Sequence, residues 1–242
     1  MKKAIISTLQ KLLGFENYLY YFSRFKAFML KYDKYERGFL QFLDLIPPGT
    51  TLLDIGANIG ITTVPMAKKF PSLTLHSFEP VPPNINALKR IIKHYKLKNV
   101  VLHEIGLADA PGELKMVIPV INGVKMQGLC HVFNEATDDP NEGEIISVPV
   151  KRLDDLAELQ VVQKIAGIKI DVENFEYYVL KGAQQLLTKH KPVIYCELWA
   201  NEMRQVVMDY LKEIGYIAKV YENNKLVDFI NQEESNFIFI NE

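Results

Sequence analysis

The sequence predicts a doubly wound α/β fold. It has a mostly parallel, seven-stranded sheet with helices on both faces, an antiparallel carboxy-terminal edge, an amino-terminal helical extension and one β-like insertion. Three observations carry this expectation. From residue 51 to residue 214 short apolar runs alternate with segments of helical spacing, the pattern that pairs strands in parallel through crossover helices. The first run stops in Gly56-Ala57-Asn58-Ile59-Gly60 and feeds a helix without a loop between them, as at the carboxyl end of such a sheet. Beyond Gly215 three apolar runs follow too closely for crossovers, which suits an antiparallel edge.

Residues 1–46 form the extension. Lys2 and Lys3 precede an apolar stretch, but Ser7, Thr8, Gln10 and Lys11 interrupt it, so it lacks the sustained core of a signal peptide. No run reaches the ~20 apolar residues of a membrane span. Between Phe15 and Phe42, Tyr18, Tyr20, Tyr21, Phe22, Phe25, Phe28, Tyr32 and Tyr35 interleave with Lys and Arg. A lid over the site, a homodimer surface or a membrane-surface helix would use such a segment; an amphipathic helix packed on the domain is the plainer reading. Pro47-Pro48-Gly49 then breaks the chain, and residues 47–242 form the main domain.

Within that domain the expected strands are residues 51–55, 73–78, 100–105, 168–171 and 193–197, with helices at 59–69, 84–95, 175–190 and 201–214. Ile85, Leu88, Ile91 and Ile92 give the second helix its apolar face. Residues 112–149 depart from the alternation. Leu114 to Ile118 and Ile145 to Val148 read as extended segments around a Gly, Asn and Asp rich stretch, an insertion of the sort that is often functional. The tail runs are 216–221, 226–229 and 236–240.

The chain has 242 residues, enough for one well-buried α/β domain, and a net charge of −1. That balance leaves no footprint for a polyanion, so nucleic acid is not an expected partner, even with Lys89, Arg90, Lys93, Lys96 and Lys98 along one stretch. Cys130 and Cys196 lie far apart with no metal-type spacing, which fits a reducing cytoplasm.

The glycine turn narrows the ligand. A dinucleotide fingerprint needs G-x-G-x-x-G, yet Asn58 stands at the second glycine and Ile61 at the third. What remains, Asp54-x-Gly56-x-Asn58-x-Gly60, resembles the first motif of the class I S-adenosylmethionine (SAM) dependent methyltransferases. It suits a ligand with an amino acid and a nucleoside but no phosphate, with Asp54 available to the ammonium directly or through water. Glu79, ending the second strand in Phe78-Glu79-Pro80, is the expected acceptor for two ribose hydroxyls.

Farther on, Ile168-Lys169-Ile170-Asp171-Val172-Glu173-Asn174-Phe175-Glu176 precedes Val179-Leu180-Lys181-Gly182, and residues 192–197 end in Glu197. With the earlier motifs, this resembles the FkbM family of SAM-dependent methyltransferases. The resemblance implies a class I fold and methylation of a hydroxyl on a small molecule, sugar or glycan. It implies cofactor contacts from Asp54, Gly56, Ala57, Asn58, Gly60, Thr62, Glu79, Pro80, Gly106, Leu107 and Asp171. Where the family generally has glycine after Asp-x-Glu, this chain has Asn174, a residue that tolerates left-handed backbone.

Asp171 at a strand end is the first candidate for the transfer chemistry, with Glu173 and Glu197 beside it and His131 in the insertion as the alternative base. Three acids would also suit Mg²⁺, an option the sequence does not favour, since carboxylates serve equally as helix caps; no metal ligand is assigned. The rival classes are a NAD-dependent oxidoreductase, which Asn58 and Ile61 oppose, and a SAM-binding module without activity.

Overall fold

The computed structural model describes residues 2–121, 123–133 and 143–241. The extension forms α1 (Lys2–Leu13), α2 (Phe15–Met29), two 3₁₀ turns (Leu30–Tyr32, Lys34–Glu36) and α3 (Arg37–Leu45). Gly14 at φ +72° turns the chain between the first two helices, a backbone region open to glycine. Then come β1 (Thr51–Ile55), α4 (Thr63–Lys69), β2 (Thr74–Phe78), α5 (Pro82–Tyr95), β3 (Val100–His103) and β4 (Gly106–Leu107). The insertion contributes β5 (Gly112–Ile121), β6 (Val124–Lys125), β7 (His131–Val132) and β8 (Gly143–Lys151). The rest comprises α6 (Ala157–Gln160), β9 (Ile165–Ile170), α7 (Glu176–Lys181), α8 (Gln184–His190), β10 (Val193–Glu197), α9 (Glu202–Glu213), β11 (Tyr216–Glu222), β12 (Lys225–Asp228) and β13 (Asn236–Asn241).

The main sheet runs β12-β11-β13-β10-β9-β1-β2-β3. Its pairs from β3 to β10 are parallel and those from β10 to β12 antiparallel, the doubly wound layout with an antiparallel edge. Among the described residues the sheet has eight strands rather than the expected seven. All three tail runs expected at 216–221, 226–229 and 236–240 are strands of this sheet, and with the five core strands they make eight; Asn223 and Asn224, both at positive φ, fold β12 back onto β11. Two-sided burial explains why β1 and β9 are apolar at nearly every position: all their residues are buried. Leu53, Ile55, Ile168 and Ile170 pack on one face with Leu180, Leu187 and Phe237. On the other face Leu52, Leu75 and Ala166 meet Phe39 and Phe42 of α3 and Ile91 of α5.

The insertion is β structure. β5 and β8 pair antiparallel from Gly112↔Val150 to Pro119↔Gly143, and β4 joins the same sheet through β8. Residues 134–142, the middle of the polar stretch expected here, lie outside the described residues.

Three expectations shift. The helix expected at 59–69 starts only at Thr63, because Asn58 (φ +49°) and Gly60 (φ +87°) keep the preceding turn left-handed. The helix expected at 175–190 is two helices. Gly182 lies against the Ala108 carbonyl, where an added Cβ would be 2.1 Å from the oxygen, and Asp154 caps α8 by accepting from the amides of Gln185 and Leu186 at 3.0 Å each. The short α6 between the insertion and β9 was not anticipated at all.

The extension packs on the domain. Tyr18 and Leu19 of α2 bury against Ile59 and Ala87, and the Ser23 hydroxyl donates to the Ile59 carbonyl at 2.6 Å. No described helix is long and apolar enough to cross a membrane.

Candidate functional site

The ends of β1, β2 and β9, the β3–β4 junction and the insertion sheet surround a cleft of about 760 Å³, including the part open to solvent. Its floor is the glycine turn. The amides of Gly56 and Ala57 both donate to the Phe78 carbonyl at 3.1 and 2.9 Å, which docks the turn onto the end of β2. Gly56 is at φ +72°, and a Cβ there would lie 1.9 Å from the Asp171 carbonyl oxygen. Closure of the β1 turn against β9 therefore demands glycine, apart from any ligand.

Glu79 enters the cleft from the end of β2 and is almost wholly buried. One oxygen accepts from the Asn58 amide at 2.8 Å, the other from the Val81 amide at 3.0 Å and Asn84 Nδ2 at 3.1 Å. Burial pushes its pKa up to about 7 despite those three donors. The side-chain oxygens of Asn58 and Asn84 are buried on the cleft wall with no hydrogen-bond partner among the described residues. Pro80, Gly106 and Leu107 line the cleft as expected, with an apolar wall from the insertion that includes Leu114, Met116, Val148 and Val150.

Asp54 does something other than expected. It is fully buried and does not line the cleft. Its carboxylate accepts from the Thr63 hydroxyl at 2.6 Å and the Thr62 hydroxyl at 3.2 Å, and lies 3.7 Å from Lys169 Nζ. Within the protein, Asp54 clamps the start of α4. Ala57, Gly60 and Thr62 likewise shape the turn without lining the cleft.

Lys169 is a functional-site residue that the sequence motifs do not single out; a lysine inside an apolar strand is its one signal. Its Nζ, buried in β9, donates to the carbonyls of Gly56 at 2.8 Å and Ile55 at 3.3 Å and lies 3.5 Å from Asp171. Burial opposes its charge, but Asp171 and Asp54 more than offset this, and its pKa stands above the ordinary value. One cation thus ties β9 to the glycine turn.

Asp171 and Glu173 both reach the cleft. Glu173 (φ +53°) and Asn174 (φ +71°) are consecutive left-handed residues, so Asn174 supplies the backbone that a glycine would. Its side-chain oxygen also accepts from Asn201 Nδ2 at 2.8 Å, tying the loop to the cap of α9. Glu176, likewise unassigned from sequence, holds the loop from beneath by accepting from the amides of Val172 and Asn174, each at 3.2 Å. Burial and the neighbouring carboxylates raise the pKa of Glu173 to about 8, and those of Glu176 and Glu197 to about 7.

Glu197 ends β10 beside this cluster but does not line the cleft. His131 does not either. Its neighbours Cys130 and Val132 face the cleft, so strand alternation turns the ring away, and Nδ1 lies 2.8 Å from the Leu129 carbonyl. Among the described lining residues of the cleft His131 is absent, which leaves Asp171 and Glu173 as the acids expected at the transfer step that reach it. Burial pushes the Cys130 thiol up to about 12, far from a nucleophile's range. Among the described residues no three His, Cys, Asp or Glu side chains converge as a metal site.

Residues 54–218, more than half of the chain, match the profile of the Methyltransferase FkbM domain. The chain belongs to the FkbM methyltransferase family. The match begins at Asp54 and runs through the insertion and the Asp171 loop into β11. "Methyltransferase 1" of Beauveria bassiana is 27% identical over 150 residues, covering 56% of this chain and 59% of that protein. The "31-O-demethyl-FK506 methyltransferase FkbM" of Streptomyces tacrolimicus is 27% identical over 158 residues, covering 57% and 60%. The matched regions thus span about three-fifths of these relatives' lengths. A solved FkbM methyltransferase from Methylobacillus flagellatus KT shares the fold, with a TM-score of 0.53, 16% identity, and coverage of 79% of this chain and 43% of that one.

Proposed function

We propose that this FkbM-family chain transfers the methyl group of SAM to a hydroxyl of a small molecule, sugar or glycan. The observation that carries the reading is the kind of ionisable group in the cleft. Its described lining holds three acids, Glu79, Asp171 and Glu173, and no Lys or Arg. That suits a ligand carrying a sulfonium and an ammonium, and it opposes the pyrophosphate of NAD. The orphaned side-chain oxygens of Asn58 and Asn84 offer acceptors for ligand donors, and Glu79 keeps lone pairs for ribose hydroxyls. Asp54, Gly60 and Thr62 serve this pocket at one remove, by fixing the turn.

Bound SAM supplies an already activated methyl group. The chain's part is to align an oxygen with it. Alignment can supply up to about 7–11 kcal/mol, whereas a general base adds a factor of ~10²–10⁴. Asp171, held by Lys169 at the end of β9, and Glu173, on its left-handed turn, are the groups placed to orient the acceptor hydroxyl and take its proton. Glu197 adds its charge to theirs from the next strand. Oxygen as the acceptor draws support from the Streptomyces relative, whose name specifies a 31-O position. The buried free thiols of Cys130 and Cys196 fit the reducing cytoplasm read from the sequence.

The test is transfer of isotopically labelled methyl from SAM to fractionated hydroxyl compounds, with the product characterised by its linkage. The expected product is a methyl ether, formed ~10²–10⁴-fold more slowly by Asp171→Asn with cofactor affinity within a few fold. Label appearing only on nitrogen or carbon would contradict the proposal.

A further inference from the structure

The outer side of the extension is unlike the rest of the surface. Tyr21, Phe25, Phe28 and Tyr32 follow one another at helical spacing along α2 and the turn after it, and they are 51%, 59%, 60% and 63% exposed. Tyr35, on the next turn, is 77% exposed. The opposite side of α2 is used up: Tyr18, Leu19 and Ser23 are buried against Ile59 and α5. The stripe is therefore not left over from a helix that failed to pack. It is a second apolar face on a helix whose first is fully engaged.

Cations accompany the rings. Lys31 Nζ lies 5.7 Å from the Phe28 centroid and 4.7 Å from that of Tyr32, and Lys34 Nζ lies 4.9 Å from Tyr35. Residues 1–36 hold seven Lys and Arg against three Asp and Glu, a net charge of +4, while the remaining residues hold 21 against 26, a net charge of −5. Two of the three acids are engaged locally: Glu16 accepts from Asn86, and Asp33 pairs with Lys26 and accepts from the Tyr35 amide; Glu36 is half-buried. Exposed positive charge and exposed aromatic rings thus share one surface.

We propose that α2 and the turns after it dock the protein on an anionic lipid bilayer, with the aromatic rings entering the headgroup layer. Phenylalanine and tyrosine rings favour the interfacial depth of a bilayer, and lysine stems extend alongside them so that the ammonium meets lipid phosphate. Polybasic charge adds attraction to anionic lipid at low ionic strength. A lid does not account for the stripe, since none of its rings is among the described residues that line the cleft. A second copy of the chain meets an obstacle that lipid does not: two-fold pairing would bring two segments of net charge +4 together.

The test is flotation of the full chain with vesicles, read beside light scattering of the protein alone. Wild type floats with equimolar phosphatidylglycerol and phosphatidylcholine at low salt, and does not float with phosphatidylcholine alone. Phe25→Ser/Phe28→Ser and Lys31→Glu/Lys34→Glu each lower the floated fraction by about tenfold or more while melting at the wild-type temperature, since all four side chains are exposed. Three results overturn the proposal: wild type that stays with the soluble fraction, flotation that both variants retain, and a wild-type dimer that Phe25→Ser/Phe28→Ser converts to monomer, which assigns the stripe to a second copy. SAM titration is independent of all these readouts, so failure here leaves the proposed transfer reaction standing.

Discussion

Replacing Lys169 by methionine keeps the length of the side chain and removes the one cation between the glycine turn and β9. Asp54, with no exposed surface, then keeps only the Thr62 and Thr63 hydroxyls, and the Gly56 carbonyl loses its 2.8 Å donor. The Ile55 carbonyl is spared, because it also accepts from the Asp171 amide at 3.2 Å. Breaking a buried ion pair from one side costs about 3–5 kcal/mol, out of the roughly 5–15 kcal/mol that holds a domain folded. At ~2–4 °C per kcal/mol for a chain of this size, the melting temperature should fall by about 6–20 °C. Denaturant unfolding of Lys169→Met measures the loss directly, and Lys169→Met/Asp54→Asn should recover part of it by removing the stranded charge. A loss under about 1 kcal/mol, or a double variant no more stable than the single one, would refute the account of this pair.

Stability should also fall between about pH 6.5 and about pH 8.5 in the absence of cofactor. Folded Glu79, Glu176 and Glu197 hold protons up to about pH 7 and Glu173 up to about pH 8, whereas unfolded carboxyls release theirs near 4.5, so raising pH favours the unfolded chain across that window. The window starts at 6.5 because the lowered pKa values of His76, His103 and His190 act with the opposite sign below it; melting temperatures that rise from 6.5 to 8.5 would contradict the assignment. At Asn174, φ +71° makes Asn174→Val strained by about 1–3 kcal/mol, with turnover falling alongside stability, while Asn174→Gly should stay within about 1 kcal/mol of wild type; equal melting temperatures for the two would remove the backbone argument. Turnover of the wild type should rise toward pH 8 as Glu173 loses its proton, and Glu173→Gln should flatten that rise; an unchanged pH profile would leave the proton to Asp171.

Much of this was legible because the signals were local and repeated. Apolar runs alternating with helical spacing mark a mostly parallel sheet, and the acid at the end of the second run marks Glu79, which lines the cleft. Other features depend on contacts that cross the sheet. Asp54 reads as a ligand contact until Lys169, 115 positions later, is seen beside it. Gly182 looks like an ordinary helical residue until the Ala108 carbonyl is found against it. His131 was a candidate on chemistry alone, and strand alternation turns it from the cleft. The run 226–229 marks β12 in the sequence, and the count of seven falls one short of the five core runs and three tail runs taken together.

Calorimetric titration of S-adenosylhomocysteine and of NADH against wild type and Glu79→Ala tests the central claim, that the acidic cleft at the ends of β1 and β2 holds SAM. Hydrogen bonds to a charged group contribute about 1.5–3 kcal/mol each, so removal of the Glu79 carboxylate should weaken S-adenosylhomocysteine at least about tenfold. NADH should show no comparable binding. Glu79→Ala also frees the Asn58 and Val81 amides, so the comparison is made on protein shown to be folded by its melting transition. Binding of NADH in place of S-adenosylhomocysteine, or an affinity within about twofold of wild type in folded Glu79→Ala, would contradict it.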